Sequence, residues 1–441
     1  MNRNIIQIIE EYNKGRDPKI LFDKYKMMAS SAFRFYRGTC HLFYQDFFQA
    51  GPKLPDPTRV WLCGDLHMEN FGVYKGENQL IYFDINDFDE STLGGCTLDI
   101  ARFISSLYLS AEVFGLKRED MDGLAQIFLG EFTLNLSLGK AKVLEEDCAT
   151  GYIQSYFNEI RSRTRKEFLK DWIEEKGKGY RFKKTNPKTI PLEEKIKNDL
   201  WASVYKFLSH QFPIPIKKEP KKELSKKSDK ILSKSPEKES KKLIKPDNRI
   251  IFHDAVIRKA GTGSLGLKRY LVLASVEGKL RLIDIKEAQA PSINLFQKSE
   301  VKWKEDAERI CRIQEMVQAV PPSLLGELIF EEKNYVVRAL QPDQDKLNFL
   351  EIKSDKIKIE EIIRDMAGIA ASAYLRSSGW KRSSTIDDLQ FFSGQNSWQK
   401  PLLDYSKKYT LQVEKDYQVF KKALESGKFK RKDSLVEAKI A

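Results

Sequence analysis

The sequence predicts an α+β chain with two lobes, a small one built on antiparallel strands and a larger, mainly helical one. Three observations predict it. Residues 249–341 alternate apolar and polar side chains in short runs. The flanking blocks carry helical periodicity, apart from one strand-rich stretch between Arg59 and Phe88. A lysine-rich segment separates the first helical block from the strands. With 441 residues, each lobe has enough chain to bury its own core. The expected order is an N-terminal helical segment packed on the large lobe (1–60), a large-lobe part (61–216), a linker (217–248), the small lobe (249–345) and a helical completion of the large lobe (346–441).

The dividing segment explains the charge. Residues 217–246 hold 12 lysines against five acidic residues, a net +7 of the chain's +13. Its Lys/Glu/Ser/Pro composition has little to bury and predicts a disordered linker. The remaining body is only modestly basic, so nucleic-acid binding is the weaker reading. No apolar run approaches the roughly 20 residues of a membrane span. Five scattered cysteines argue against a disulfide framework and for the cytoplasm.

Within the small lobe, Tyr270–Ser275 and Lys279–Lys286 are two alternating runs joined by a turn at Glu277-Gly278. Glu305–Ala319 has one apolar face at helical spacing, and Leu325–Phe330 and Tyr335–Leu340 form a second hairpin. Ahead of them, Gly261-Thr262-Gly263-Ser264-Leu265-Gly266 fits G-x-G-x-x-G. A dinucleotide fold would open a helix there, but this sequence continues as a strand. Glycines between antiparallel strands let backbone N–H groups approach phosphates, so Gly261, Gly263, Ser264 and Gly266 are candidate nucleotide contacts. Lys286 ends the returning strand and is the candidate ligand of the phosphates. Glu308, or second Glu315, would orient it from the helix. The plainer alternative is an ordinary hairpin with an edge lysine.

The second cluster is acidic. Asp65 and Asn70 are spaced D-x-x-x-x-N after a short apolar strand, and a hairpin then leads into Asp84-Ile85-Asn86-Asp87-Phe88-Asp89-Glu90. Phosphoryl transfer needs Mg²⁺ and an oriented acceptor hydroxyl. Asp65 would orient the acceptor, and Asn70 with Asp84 would hold the metal. Asp87 and Asp89 are alternative ligands, because the hairpin leaves the register open. Asp99 is expected to cap backbone N–H groups of its own helix or of the Asp65 loop. His67 is expected to pack or hydrogen-bond.

These motifs resemble the aminoglycoside-phosphotransferase and choline-kinase branch of kinase-like enzymes. More closely, the chain resembles the bacterial family of domain of unknown function 2252. The matching segments include Phe33–Gly38, Cys63–His67, Asn86–Glu90, Leu98–Arg102, the Gly261 loop and Lys286-Glu287-Ala288. The resemblance implies a protein-kinase-like fold, ATP and Mg²⁺ as cofactors, and an unknown, small-molecule acceptor. It leaves a silent nucleotide-binding scaffold and an AMP transferase as alternatives. In kinases the glycine loop precedes the catalytic loop, whereas here Asp65 comes first. The resemblance therefore implies circular permutation, with the helix Ile359–Tyr374 leading towards the catalytic loop. Three positions depart from the pattern: Cys63 replaces a histidine, Asp284 stands where kinases place a small alanine under adenine, and Tyr374 stands where histidine is expected. Arg34 and Arg37 would either grip an anionic acceptor or pin the N-terminal segment.

Overall fold

Capping residues set off the helices of the first fifty residues. In the computed structural model, which describes residues 3–177, 179–213, 249–341 and 345–429, Asn4, Asp17 and Ser31 accept first-turn N–H groups. They open α1 (Ile5–Tyr12), α2 (Pro18–Met28) and α3 (Ala32–Gly38), and α4 (Cys40–Ala50) follows. Next come β1 (Val60–Leu62), the hairpin β2 (Phe71–Lys75) and β3 (Ile81–Ile85), and β4 (Thr92–Gly94), which returns antiparallel to β1. Four helices then follow: α5 (Cys96–Leu109), α6 (Ala111–Phe114), α7 (Arg118–Leu138) and α8 (Gly151–Arg161).

The following segment overturns a boundary. Sequence reading assigned residues 61–216 to the large lobe. Instead α9 (Arg165–Trp172), the hairpin β5 (Ile173–Lys176) and β6 (Gly179–Phe182), β7 (Thr189–Pro191) and α10 (Glu194–Gln211) pack on the small sheet. That sheet contains β8 (Ile250–Arg258), β9 (Arg269–Val276), β10 (Lys279–Glu287), β11 (Gly326–Phe330) and β12 (Lys333–Leu340). Its six antiparallel strands run in the order β11-β12-β10-β9-β8-β7. The alternation of β9 explains its two-sided burial. Val272 and Ala274 face Leu200, Val204 and Leu208 of α10, whereas Leu271 and Leu273 lie with Trp172 and Phe182. Each Val or Leu buried there contributes roughly 1.5–3 kcal/mol relative to exposure. α11 (Asp306–Val317) links β10 to β11 and turns Ala307, Ile310 and Val317 into the main core.

After β12 the chain adds β13 (Asp345–Lys346) to β2, then forms α12 (Lys356–Arg376), α13 (Ile386–Ser393) and α14 (Gln399–Glu425). α12 packs along α7, and α14 along α5. The chain beyond α12 returns to β1. Arg59 and Ser384 exchange two hydrogen bonds, of 3.0 and 2.7 Å, and the Trp61 indole donates to Trp380 O at 3.1 Å. The architecture is α+β, as expected. The predicted linker, 217–248, lies outside the described residues. Among those described, no helix is long and apolar enough to cross a membrane. All five cysteines are free.

Candidate active site

β1 delivers the chain into the Asp65 loop through Gly64, at φ +80°. A Cβ there would lie 1.9 Å from the Glu90 carbonyl oxygen, so only glycine lets the two loops meet so closely. Asp99 fixes this approach. Its carboxylate accepts the Cys63 and Gly64 N–H groups, each at 3.0 Å, and the Tyr374 hydroxyl at 3.2 Å. The departure at Tyr374 thus supplies a donor to Asp99. Burial pushes the Asp99 carboxyl up to about 6, against the pull of these donors.

Asp65 pairs with the Arg102 guanidinium, which is fully buried and stacks over Tyr36 at 4.2 Å. Burial raises the Asp65 carboxyl, and Arg102 opposes that rise. The side-chain amide of Asn70 donates to Asp65 O at 3.1 Å and Asp87 O at 3.2 Å, tying the two acidic loops together. Its Oδ1 is buried and has no hydrogen-bond partner. Lys286, from β10, pairs with Asp89 and stands 3.7 Å from Asp87. Two segments about 200 positions apart in sequence thus meet in one ion cluster. Burial works against ionising Asp87, but Lys286 and Arg338 outweigh it and hold its carboxyl low.

Between these groups lies a cavity of about 320 Å³. Asp65, Asn70, Asp87 and Lys286 line it, as do Gly261, Gly263 and Ser264 from the β8–β9 loop. Gly266 does not. It turns the chain at φ +92° into β9, and its carbonyl accepts the Asp17 N–H at 3.0 Å. Arg16 donates to Gly263 O at 2.8 Å and Leu265 O at 3.0 Å, and the buried Lys24 amine to Gly263 O at 3.0 Å. The N-terminal helices therefore grip the glycine loop, a contact absent from the sequence reading.

Two further expectations are corrected. Asp84 is 1% exposed and does not line the cavity. Its oxygens accept from Arg376 Nη2 at 2.9 Å, from Ala319 N at 3.1 Å and from its neighbour Ile85 N at 2.8 Å. Its charge is thus spent on α12, and the residue at the cavity is Asp87. Glu308 does not orient Lys286 either. It accepts the Lys304 N–H at 2.9 Å, while Glu315 pairs with Arg312 at 2.8 Å. α11 instead sends Arg309 to the acidic turn, donating to Asp89 O at 2.9 Å and Gln289 O at 2.8 Å.

Arg37 lines the cavity, pairs with Glu69 and donates through Nε to His67 at 3.0 Å; Arg34 reaches the same Glu69 at 3.1 Å. Burial and the adjacent Arg37 push the His67 imidazole well down, towards its neutral form. Asp284, which departs from the kinase pattern, is 1% exposed. Arg269 holds it with two hydrogen bonds, and Arg258 and Arg338 lie 2.8 and 3.7 Å away. Burial opposes its ionisation, but the three guanidiniums prevail and drive its carboxyl far down.

Glu90 completes the cavity wall, accepting from the Ser292 N–H and hydroxyl. Burial, helped by Asp65, pushes its carboxyl up to about 7 from an ordinary 4.5. A raised folded-state value makes this group's contribution complete below about pH 4.5 and lost as pH rises through 7. Thermal melts from pH 5 to 8 should therefore show wild type losing stability relative to Glu90→Gln. Parallel curves would contradict this account of Glu90.

The donor set suits a hard cation only in part. Among the described residues, no three of His, Cys, Asp and Glu cluster closely enough to hold a metal by themselves. Asn70, whose Oδ1 has no hydrogen-bond partner, and Asp87 line the same cavity and carry oxygen donors of the kind Mg²⁺ takes when phosphates and waters complete its shell. Arg102, Arg309 and Arg376 escaped the sequence reading. Only Arg102 left a signal: three positions from Asp99, it shares one helix face with that cap.

Family comparison settles membership. The model of domain of unknown function 2252, described as an uncharacterised protein conserved in bacteria, matches residues 16–423. The chain belongs to this family. No curated protein and no solved structure matches it. For this DUF2252 member the matched region takes in Asp65, Asn70, Asp87, the glycine loop and Lys286.

Proposed function

We propose that the protein is an ATP-dependent phosphotransferase of permuted kinase-like fold, acting on a small-molecule acceptor. The observation that carries this reading is the convergence of Asp65, Asn70, Asp87, Lys286 and the glycine loop on one cavity. Asp65 would accept the acceptor's hydroxyl proton and orient its oxygen, with Arg102 holding the carboxylate in place. Asn70 and Asp87 would hold Mg²⁺, which when bound would neutralise phosphate charge. Lys286 would leave Asp89 to contact the phosphate chain, beneath Gly261 and Gly263. Permutation draws support from the joint at Arg59 and Ser384. There the chain following α12 lies against the strand that enters the catalytic loop.

The test compares Mg²⁺-dependent ATP binding with slow ATP turnover in wild type and Asp65→Asn. Binding should survive the substitution, and turnover should fall by about a hundredfold or more. Binding without any wild-type turnover would point instead to a silent nucleotide-binding scaffold. Failure of ATP to bind with Mg²⁺ would sink the reading outright.

A further inference from the structure

Asp284 and Lys286 are two positions apart on β10, so their side chains stand on one face of the strand, about 7 Å apart. Around Asp284 converge Arg258 from the end of β8, Arg269 from the start of β9 and Arg338 from β12, and all three line the cavity. Three guanidiniums meet this one carboxylate, with Asp87 and Asp89 lining the same cavity farther off. Arg258 Nη1 lies 2.8 Å from Asp284 Oδ1, yet it and Nε are buried without a well-aligned acceptor. A nucleobase calls for apolar walls with a few placed polar groups. These charges call for an anion.

We propose that this end of the cavity is an anion subsite taking the terminal phosphate of an oligophosphate, with Asp284 setting the spacing of its arginines. The inference rests on the phosphotransferase reading for the phosphate chain at Lys286 and refines its chemistry: a polyphosphate would present its other end to the acceptor at Asp65, whereas an inverted ATP would present its α-phosphate, passing AMP to the acceptor with pyrophosphate leaving. Two sources share the chemistry: ATP lying with its triphosphate towards the arginines, and a base-free inorganic polyphosphate.

Calorimetric titration of the full chain with Mg²⁺ and ATP, inorganic triphosphate or adenosine tests the subsite. ATP and triphosphate should bind, adenosine should not displace them, and Arg338→Gln should weaken both at least about tenfold. That variant leaves Asp284 two arginines; should it still melt early, Arg258→Gln provides the second measurement. Triphosphate binding as tightly as ATP identifies the base-free source, and a clear preference for ATP identifies the inverted nucleotide. Undiminished ATP binding in both arginine variants would overturn the subsite, as would adenosine competing in an Arg338-dependent manner. Lys286→Met separates the two levels. If it abolishes binding while the arginine variants do not, the cleft reading stands and the subsite falls. If neither ATP nor triphosphate binds wild type, both fall.

Discussion

Asp284→Ala is expected to lower the folding stability by about 3–5 kcal/mol, the usual cost of stranding buried charge. The carboxylate is 1% exposed, with Arg269 doubly hydrogen-bonded to it and Arg258 close by. Removing it leaves three guanidiniums facing one another without the carboxylate that holds them together. The pH dependence follows from the depressed carboxyl. Its contribution is present above the ordinary value of 3.8 and is lost as pH falls through the lower folded-state value. Urea unfolding at neutral pH measures the effect. A change below about 1 kcal/mol would mean that water, not Asp284, balances these arginines.

Gly64→Ala should be of similar size, by a different route. The residue adopts φ +80°, where a side chain is strained, and the new methyl would lie 1.9 Å from a backbone oxygen, not from a movable side chain. Relief is blocked on both sides, because Gly64 N donates to Asp99 and Gly64 O accepts from Tyr44. The expected loss is roughly 3 kcal/mol or more, with Asp65 displaced. Wild-type stability and wild-type turnover in this variant would refute the account of the loop.

Much of the six-stranded sheet was legible. Alternation and the Glu277-Gly278 turn predicted β9 and β10 to within a residue or two, and one apolar face predicted α11. The affiliation of residues 165–211 was not. The apolar stripe of α10, Leu200, Val204 and Leu208, announces a helix but not which surface it covers. Asp84 shows the same limit at the site. It sits at a strand end where a metal ligand belongs, and donors far along the chain, Arg376 and the Ala319 N–H, occupy it instead. Glu308 failed because helical spacing says which residues share a face, not which neighbour reaches across. Arg309, one position on, makes the contact with the acidic turn. The N-terminal grip on the glycine loop runs through backbone carbonyls, which no side-chain pattern reveals.

Tyr374 and Arg376 carry one more consequence. Asp99, which shapes the Asp65 loop, and Asp84, which anchors the acidic turn, each finish their hydrogen bonding on the last turns of α12. The Asp65 and Asp87 loops of the candidate site are thus written early in the polypeptide but locked late. Until α12 has been synthesised, both early loops lack these fastenings. Assembly of these loops is thereby timed to the emergence of α12.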